Sequence, residues 1–413
     1  MPRRIATIIA SSVLLLAGLA APATAGTPTR PPFPVAEAQA LQAALDAHSA
    51  AGMPGVFAEV RVGHRTWRGA AGVADLETGA PIRPDFQHRV GSITKTFVAA
   101  ALLQLVGERR IRLDAPVREY LPDLATGDHH SRVTVRMLLN HTSGIEDYFA
   151  GILRSEADLE RYRTESISPR RLAEAGLALP PTNAPGERFD YSNTNYILAG
   201  LIIEAVTRRP ATDEITRRVI DRLHLRDTYF PGDNPRIVGP HSRAYIPWTD
   251  GEMRDFSVYN QSIFWTAGAL VSTMRDLNRF YDALLFGRLL RRDLLAQMMT
   301  TVPMNPADLT EGRYGLGIYA ADLPCGVAWG HDGRVWGQLT TSMHRADRAR
   351  QVSLAENMSH YAGQGVVTPI EPARRAFLGT ALCGPAAGPA APTTLAATPL
   401  RLPRVDDGLP VPR

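Results

Sequence analysis

Three short groups of side chains in this 413-residue chain have the types and spacing for covalent chemistry at a carbonyl. In Ser92-Ile93-Thr94-Lys95 a hydroxyl and an amine stand three positions apart. On a helix such residues share a face, so the amine reaches the hydroxyl oxygen, and the free N–H groups and dipole of a helix start favour negative charge there. That is the outline of an activated nucleophile. A bare S-x-x-K recurs by chance in many proteins. Here Lys95 is the one lysine among 45 Lys+Arg residues, all the others being arginines. Arginine keeps its proton inside a protein, whereas a lysine amine is driven neutral by burial or a neighbouring cation.

The second group, Tyr191-Ser192-Asn193, follows Pro185-Gly186 and precedes an apolar stretch, which reads as a loop entering a helix. A phenol beside a cation becomes a competent proton shuttle, and Lys95 is the available cation. Asn193 offers a donor and an acceptor for a substrate amide, although alone the tripeptide also reads as a solvated loop. The third group is Gly330-His331-Asp332-Gly333, placed between two expected strands. Glycines there let a ligand lie along a strand edge, where backbone N–H groups bind a developing oxyanion and His331 supplies a polar or cationic wall. Taken alone, the same four residues are also those of a tight hairpin.

Positioning these groups requires a helix at Ser92, a loop before Asn193 and strands around His331. Thr94–Arg109 is apolar on most sides and lacks proline, so it predicts a largely buried helix. Residues 55–75 alternate about Gly63-His64 as a strand pair. Helical stretches at 134–139, 195–207, 213–223 and 275–287 fill the middle, and strand-like runs follow at 314–320, 325–330, 336–343 and 350–356 before a helix near 368–382. The sheet therefore draws on residues of about 35–95 and 310–383, with a mostly helical part of about 96–309 inserted.

Composition sets the surroundings. Arg3 and Arg4, the apolar run Ile8 to Leu19 and Ala23-Thr24-Ala25 read as a secretory signal over residues 1–25. A secreted protein, extracellular or held at the cell wall, is expected, with no membrane span in what remains. Formal net charge is +4, with basic residues scattered among acidic ones, so no nucleic acid partner is expected. In an exported chain Cys325 and Cys383 invite a disulfide, two free thiols being the alternative. Closing that loop would stabilise by roughly 4 kcal/mol. Residues 384–413 hold seven prolines and no periodic apolar face, so a disordered tail is expected after a domain spanning 26–383.

The three groups occur in one order, together with MLLNHTSGI at 137–145, PGERFDYSNTNYILAG at 185–200, AGALVSTMRDL at 267–277 and YGLGI at 314–318. On these residues the chain resembles the penicillin-recognising serine hydrolases: D-alanyl-D-alanine carboxypeptidases, class C β-lactamases and related esterases. The likeness runs over roughly 35–383 and is greatest to the secreted actinomycete carboxypeptidases, whose two-cysteine arrangement also resembles Cys325 and Cys383. It implies an α+β fold of β-lactamase/transpeptidase type, an antiparallel sheet flanked by helices with an inserted, mostly helical subdomain. It implies an acyl-enzyme on Ser92, proton handling by Lys95 and Tyr191, an oxyanion hole from the backbone N–H groups of Ser92 and Arg334, and Asn193 on the acyl-side amide. Which of Lys95 and Tyr191 is the base stays open, since coupled groups titrate as a pair.

Two departures bear on substrate. Where the carboxypeptidase pattern carries two threonines and an arginine to meet a terminal carboxylate, this chain has Asp332, Arg334 and Tyr319. An aspartate repels a carboxylate unless Arg334 replaces the missing cation. The expected function is thus a β-lactam-sensitive D-Ala-D-Ala carboxypeptidase-like peptidase of cell-wall peptides, monomeric and taking small peptides or esters. Its alternatives are an esterase, D-aminopeptidase or β-lactamase and, in another class, a non-catalytic wall-binding or penicillin-binding sensor. His331, Asp332, Gly333 and Arg334 join Asn193 as expected substrate-binding residues. Asp128-His129-His130 has no second ligand cluster at usable spacing, so neither metal nor cofactor is expected. Ser143 reads as structural.

Overall fold

The computed structural model describes residues 32–248, 251–308, 312–359 and 369–385. Contacts divide the chain into Met1–Pro32 and Phe33–Arg413, and every element below belongs to the second unit. The expected export segment 1–25 and, from residue 386 onward, the expected tail lie outside the described residues.

In chain order the strands are β1 (Gly55–Val62), β2 (Arg65–Gly72), β3 (His88–Arg89), β4 (Tyr245–Pro247), β5 (Met253–Asp255) and β6 (Val271–Ser272). They continue as β7 (Val302–Pro303), β8 (Arg313–Tyr314), β9 (Tyr319–Leu323), β10 (Gly326–Val335), β11 (Gln338–Arg345) and β12 (Arg350–Glu356). Eight of them form one antiparallel sheet in the order β2-β1-β12-β11-β10-β9-β8-β7. The fold is therefore the expected α+β arrangement, with strands from both ends of the domain joined at β1 and β12.

Strand alternation gives the sheet two buried faces. Val56, Ala58 and Val60 of β1 pack with Leu354 of β12 against Leu41 and Leu45 of helix α1 (Val35–Ala50) and Phe377 of the C-terminal helix Ile370–Cys383. Phe57 points the other way, into the core shared with Phe97, Leu103, Leu198 and Phe280. Each such side chain contributes roughly 1.5–3 kcal/mol on burial. Helix α2 (Ile93–Gly107) is apolar all round and buried on nearly every side, as its composition predicts. It is the axle on which the site is mounted. A disulfide joins Cys325, just before β10, to Cys383 at the end of the last helix, with Cα atoms 5.5 Å apart.

Two sequence expectations need correction. The run 314–320 is not one strand: β8 ends at Tyr314 and β9 begins at Tyr319, with a turn between. More consequentially, Gly330-His331-Asp332-Gly333 does not separate two strands but lies inside β10, and the turn falls at Trp336-Gly337. The glycines mark close backbone approach rather than a turn. Pairing of β10 with β9 stops at Gly330 opposite Tyr319, while pairing with β11 continues to Val335 opposite Gln338. Beyond Gly330 the β9-side edge of β10 meets the start of α2 instead. A Cβ on Gly333 would lie 2.0 Å from the Val90 carbonyl oxygen and 2.8 Å from the Ser92 nitrogen. One on Gly91, whose φ is +52°, would lie 2.7 Å from the Arg334 nitrogen. Only glycine allows those two backbones to touch.

Candidate active site

Ser92 is the N-cap residue of α2 and carries no side-chain capping bond, so its hydroxyl is directed elsewhere. It is 5% exposed, and one turn along the helix Lys95 is fully buried. The ammonium-bearing side chain runs back along the helix, and Nζ lies 3.0 Å from Ser92 Oγ, 2.7 Å from Asn193 Oδ1 and 2.7 Å from the Ala267 carbonyl oxygen. The same nitrogen sits 4.9 Å from the centre of the Tyr191 ring. Three residues named from sequence, Ser92, Lys95 and Asn193, are thus linked by hydrogen bonds, with Tyr191 packed over the amine.

Asn193 opens the helix Asn193–Thr207, and its orientation is fixed from behind. Its backbone N–H and its Nδ2 both donate to Asp147 Oδ2, each at 2.8 Å. Because Nδ2 is committed to a carboxylate, Oδ1 must face Lys95 as an acceptor. Asp147 also accepts from the Phe149 backbone N–H at 3.0 Å, capping the short helix Tyr148–Ile152. Burial pushes its carboxyl up to about 6, against the downward pull of these hydrogen bonds and of Lys95.

The arrangement has a chemical consequence. The Asn193 and Ala267 oxygens can only accept. A neutral amine donates its two N–H bonds to them and turns its lone pair toward Ser92 Oγ–H, whereas an ammonium donates to all three. Nζ is therefore seated so that losing one proton leaves a base aimed at the hydroxyl.

A narrow cleft lies over Ser92, with walls that include Phe149, Asn193, Phe264, Ala267 and Arg334. The close approach of Gly91 to Arg334 and of Gly333 to Ser92 brings the backbone at the start of α2 against that of β10 beside this cleft. His331 is buried, its Nε2 lies 2.8 Å from the Tyr314 hydroxyl, and burial pushes it down to about 3. It is neutral rather than cationic, and it is not among the residues that line this cleft, contrary to the expected wall role. Asp332 alternates to the opposite face of β10, opposite Thr341, whose hydroxyl contacts Arg374 of the C-terminal helix. The structure thus places Ser92, Asn193 and Arg334 on the walls of one cleft, with Lys95 hydrogen-bonded to Ser92 and Asn193 and Tyr191 packed on Lys95, and Asp332 is not among the wall residues. Ser143 donates to Asn195 Oδ1 at 2.6 Å and accepts from the Ile145 N–H, a structural role that ties its loop to the helix Asn193–Thr207. Asp128, His129 and His130 hold no metal-type grouping among the described residues.

Two contributors escaped sequence reading. Ala267 acts through its carbonyl oxygen, which leaves no side-chain signal. Asp147 follows the HTSGI stretch closely, but nothing in its spacing announces that it meets a helix starting at residue 193.

The beta-lactamase family description matches residues 38–361. Among solved structures, a D-stereospecific amidohydrolase from Streptomyces sp. is 37% identical, covers 84% of this chain and 99% of its own, and superposes with a TM-score of 0.75. The D-amino acid amidase of Ochrobactrum anthropi SV3, solved in complex with L-phenylalanine amide, is 26% identical over 83% of this chain and 97% of its own, with a TM-score of 0.73. Among curated proteins, esterase EstB of Burkholderia gladioli is 34% identical over 205 residues, covering 46% of this chain and 49% of EstB. The chain spans about half the length of the curated relatives it matches.

Proposed function

The chain belongs to the beta-lactamase family, and from that premise we propose that it is a serine hydrolase that opens small D-configured amides and esters through an acyl-enzyme on Ser92. One observation carries the reading: Lys95 Nζ stands 3.0 Å from Ser92 Oγ with two further acceptors already in place. In this scheme Ser92 Oγ bonds to the substrate carbonyl carbon while its proton passes to Lys95, directly or by way of Tyr191. The oxyanion rests on the N–H groups of Ser92 and Arg334. The bond to the leaving nitrogen or oxygen breaks as Tyr191 returns the proton to it, and water then releases the acyl group by the reverse sequence.

The substrate class is supported by the wall chemistry and by likeness. Phe149 and Phe264 line the cleft and suit an apolar acyl side chain. The 37% identity to a D-stereospecific amidohydrolase supports the same class. One observation favours the carboxypeptidase reading instead: Arg334 lines the cleft and offers a cation. Secretion is part of the proposal and rests on the segment 1–25.

Hydrolysis of a D-Ala-D-Ala peptide, its C-terminal amide and a D-aminoacyl p-nitrophenyl ester separates the readings. The amide and ester are expected to exceed the free acid in kcat/KM by at least about tenfold, the value of one lost charge-assisted contact. Preference for the free acid would instead install Arg334 as a carboxylate receptor.

A further inference from the structure

We propose that His141 is a positioning residue for the Tyr191 phenol, holding the loop Asp190-Tyr191-Ser192 from three sides; this rests on the reading of Tyr191 as the proton carrier. The backbone carbonyl of His141 accepts the Asp190 N–H at 2.8 Å. Its ring nitrogen Nδ1 accepts the Ser192 N–H at 3.2 Å. Between those two bonds the imidazole stacks on the Tyr191 ring with centroids 4.1 Å apart and planes 34° apart. The residue that must place its hydroxyl over Ser92 is therefore bracketed on both sides along the chain and backed across its ring.

His141 takes φ +57°, a left-handed conformation uncommon outside glycine, in which histidine is found more often than most residues, along with asparagine and aspartate. It is fully buried, between Tyr191, Tyr196 at 5.3 Å and Tyr314 at 5.0 Å. A glycine would relieve the backbone but would supply neither the acceptor nor the ring. Only Nδ1 with its lone pair can receive the Ser192 N–H, and Asn195 Nδ2 lies 3.2 Å from the same nitrogen, so the proton sits on Nε2. Burial, then the nearby Lys95 and His331, hold the imidazole neutral, far below its ordinary range. It touches neither Ser92 nor the cleft, so it acts through Tyr191.

A double-mutant cycle read by single-turnover acylation with a D-aminoacyl p-nitrophenyl ester tests this. His141→Ala is expected to slow acylation by about 10²-fold, the cost of a misplaced catalytic group, while KM changes less than about twofold. In a Tyr191→Phe background the same change should cost less than about threefold. His141→Asn tolerates the left-handed backbone and keeps an acceptor for Ser192, so it should recover at least about tenfold over alanine and guards against a result that reports only misfolding. Equal losses in both backgrounds, or asparagine no better than alanine, would overturn the proposal. A Tyr191→Phe enzyme acylating at the wild-type rate would instead remove the proton-carrier reading beneath it.

Discussion

Lys95 is seated between two oxygens that only accept, and this makes its replacement informative. Lys95→Arg keeps a positive charge and loses the capacity to release a proton. Acylation is expected to fall by about 10²–10⁴-fold, the usual worth of a general base, with the melting temperature within a few degrees of wild type. Near-normal rates would remove the amine from the chemistry. Asp147 gives a prediction of a different kind. Its carboxyl is raised from its ordinary 3.8 to about 6, so the stability it contributes is full below about pH 4 and is lost as pH rises through about 6. The unfolding free energy of wild type relative to Asp147→Asn, from urea titrations across that window, should fall by about 3 kcal/mol, and a flat difference would refute the assignment. Ser92, Lys95, Tyr191 and Asn193 were legible in sequence because their spacing and the lone lysine carry the signal. Asp147 and Ala267 were not, because their contributions arise only from contacts made on folding.

At the scale of elements, the site depends on α2 and β10 touching through backbone atoms. Gly333→Ala would push a methyl against the Val90 carbonyl and force Ser92 away from Arg334. Acylation should drop by about 10²–10³-fold, as for loss of an oxyanion donor, with binding of a product carboxylate or a β-lactam weakened as well. Unchanged kinetics would mean that this strand edge does not serve the reaction. The Cys325 to Cys383 link fastens the beginning of β10 to the last helix, away from Ser92. Paired Cys325→Ser and Cys383→Ser changes should lower the unfolding free energy by about 4 kcal/mol and leave kcat within about twofold at 25 °C. The hairpin of β1 and β2, α2 and several helices of the middle were legible from periodicity, whereas α1 (Val35–Ala50) fell in a stretch read as part of the sheet. The course of β10 was not, because glycines that allow close backbone approach look in sequence like those that make a turn.

For the molecule as a whole, the sheet and helices enclose several imidazoles. His88 and His331 are both held down to about 3 by burial, and His141 and His344 are likewise depressed. A depressed histidine binds its proton only on unfolding, so stability is full above about pH 6.5 and is lost as pH falls toward 3. At pH 4.5 His88 and His331 should each cost about 2–3 kcal/mol relative to pH 7, more together than Asp147 returns. Urea midpoints at the two pH values check this, and equal midpoints would contradict it. The proposed chemistry requires a single covalent bond formed at Ser92. Intact-mass and peptide mass spectrometry after incubation with a fluorescent penicillin tests it most directly. One acyl group per chain, located on Ser92, absent from Ser92→Ala and greatly slowed in Lys95→Arg, is the predicted result. An adduct on another residue, or one that survives Ser92→Ala, would contradict the account.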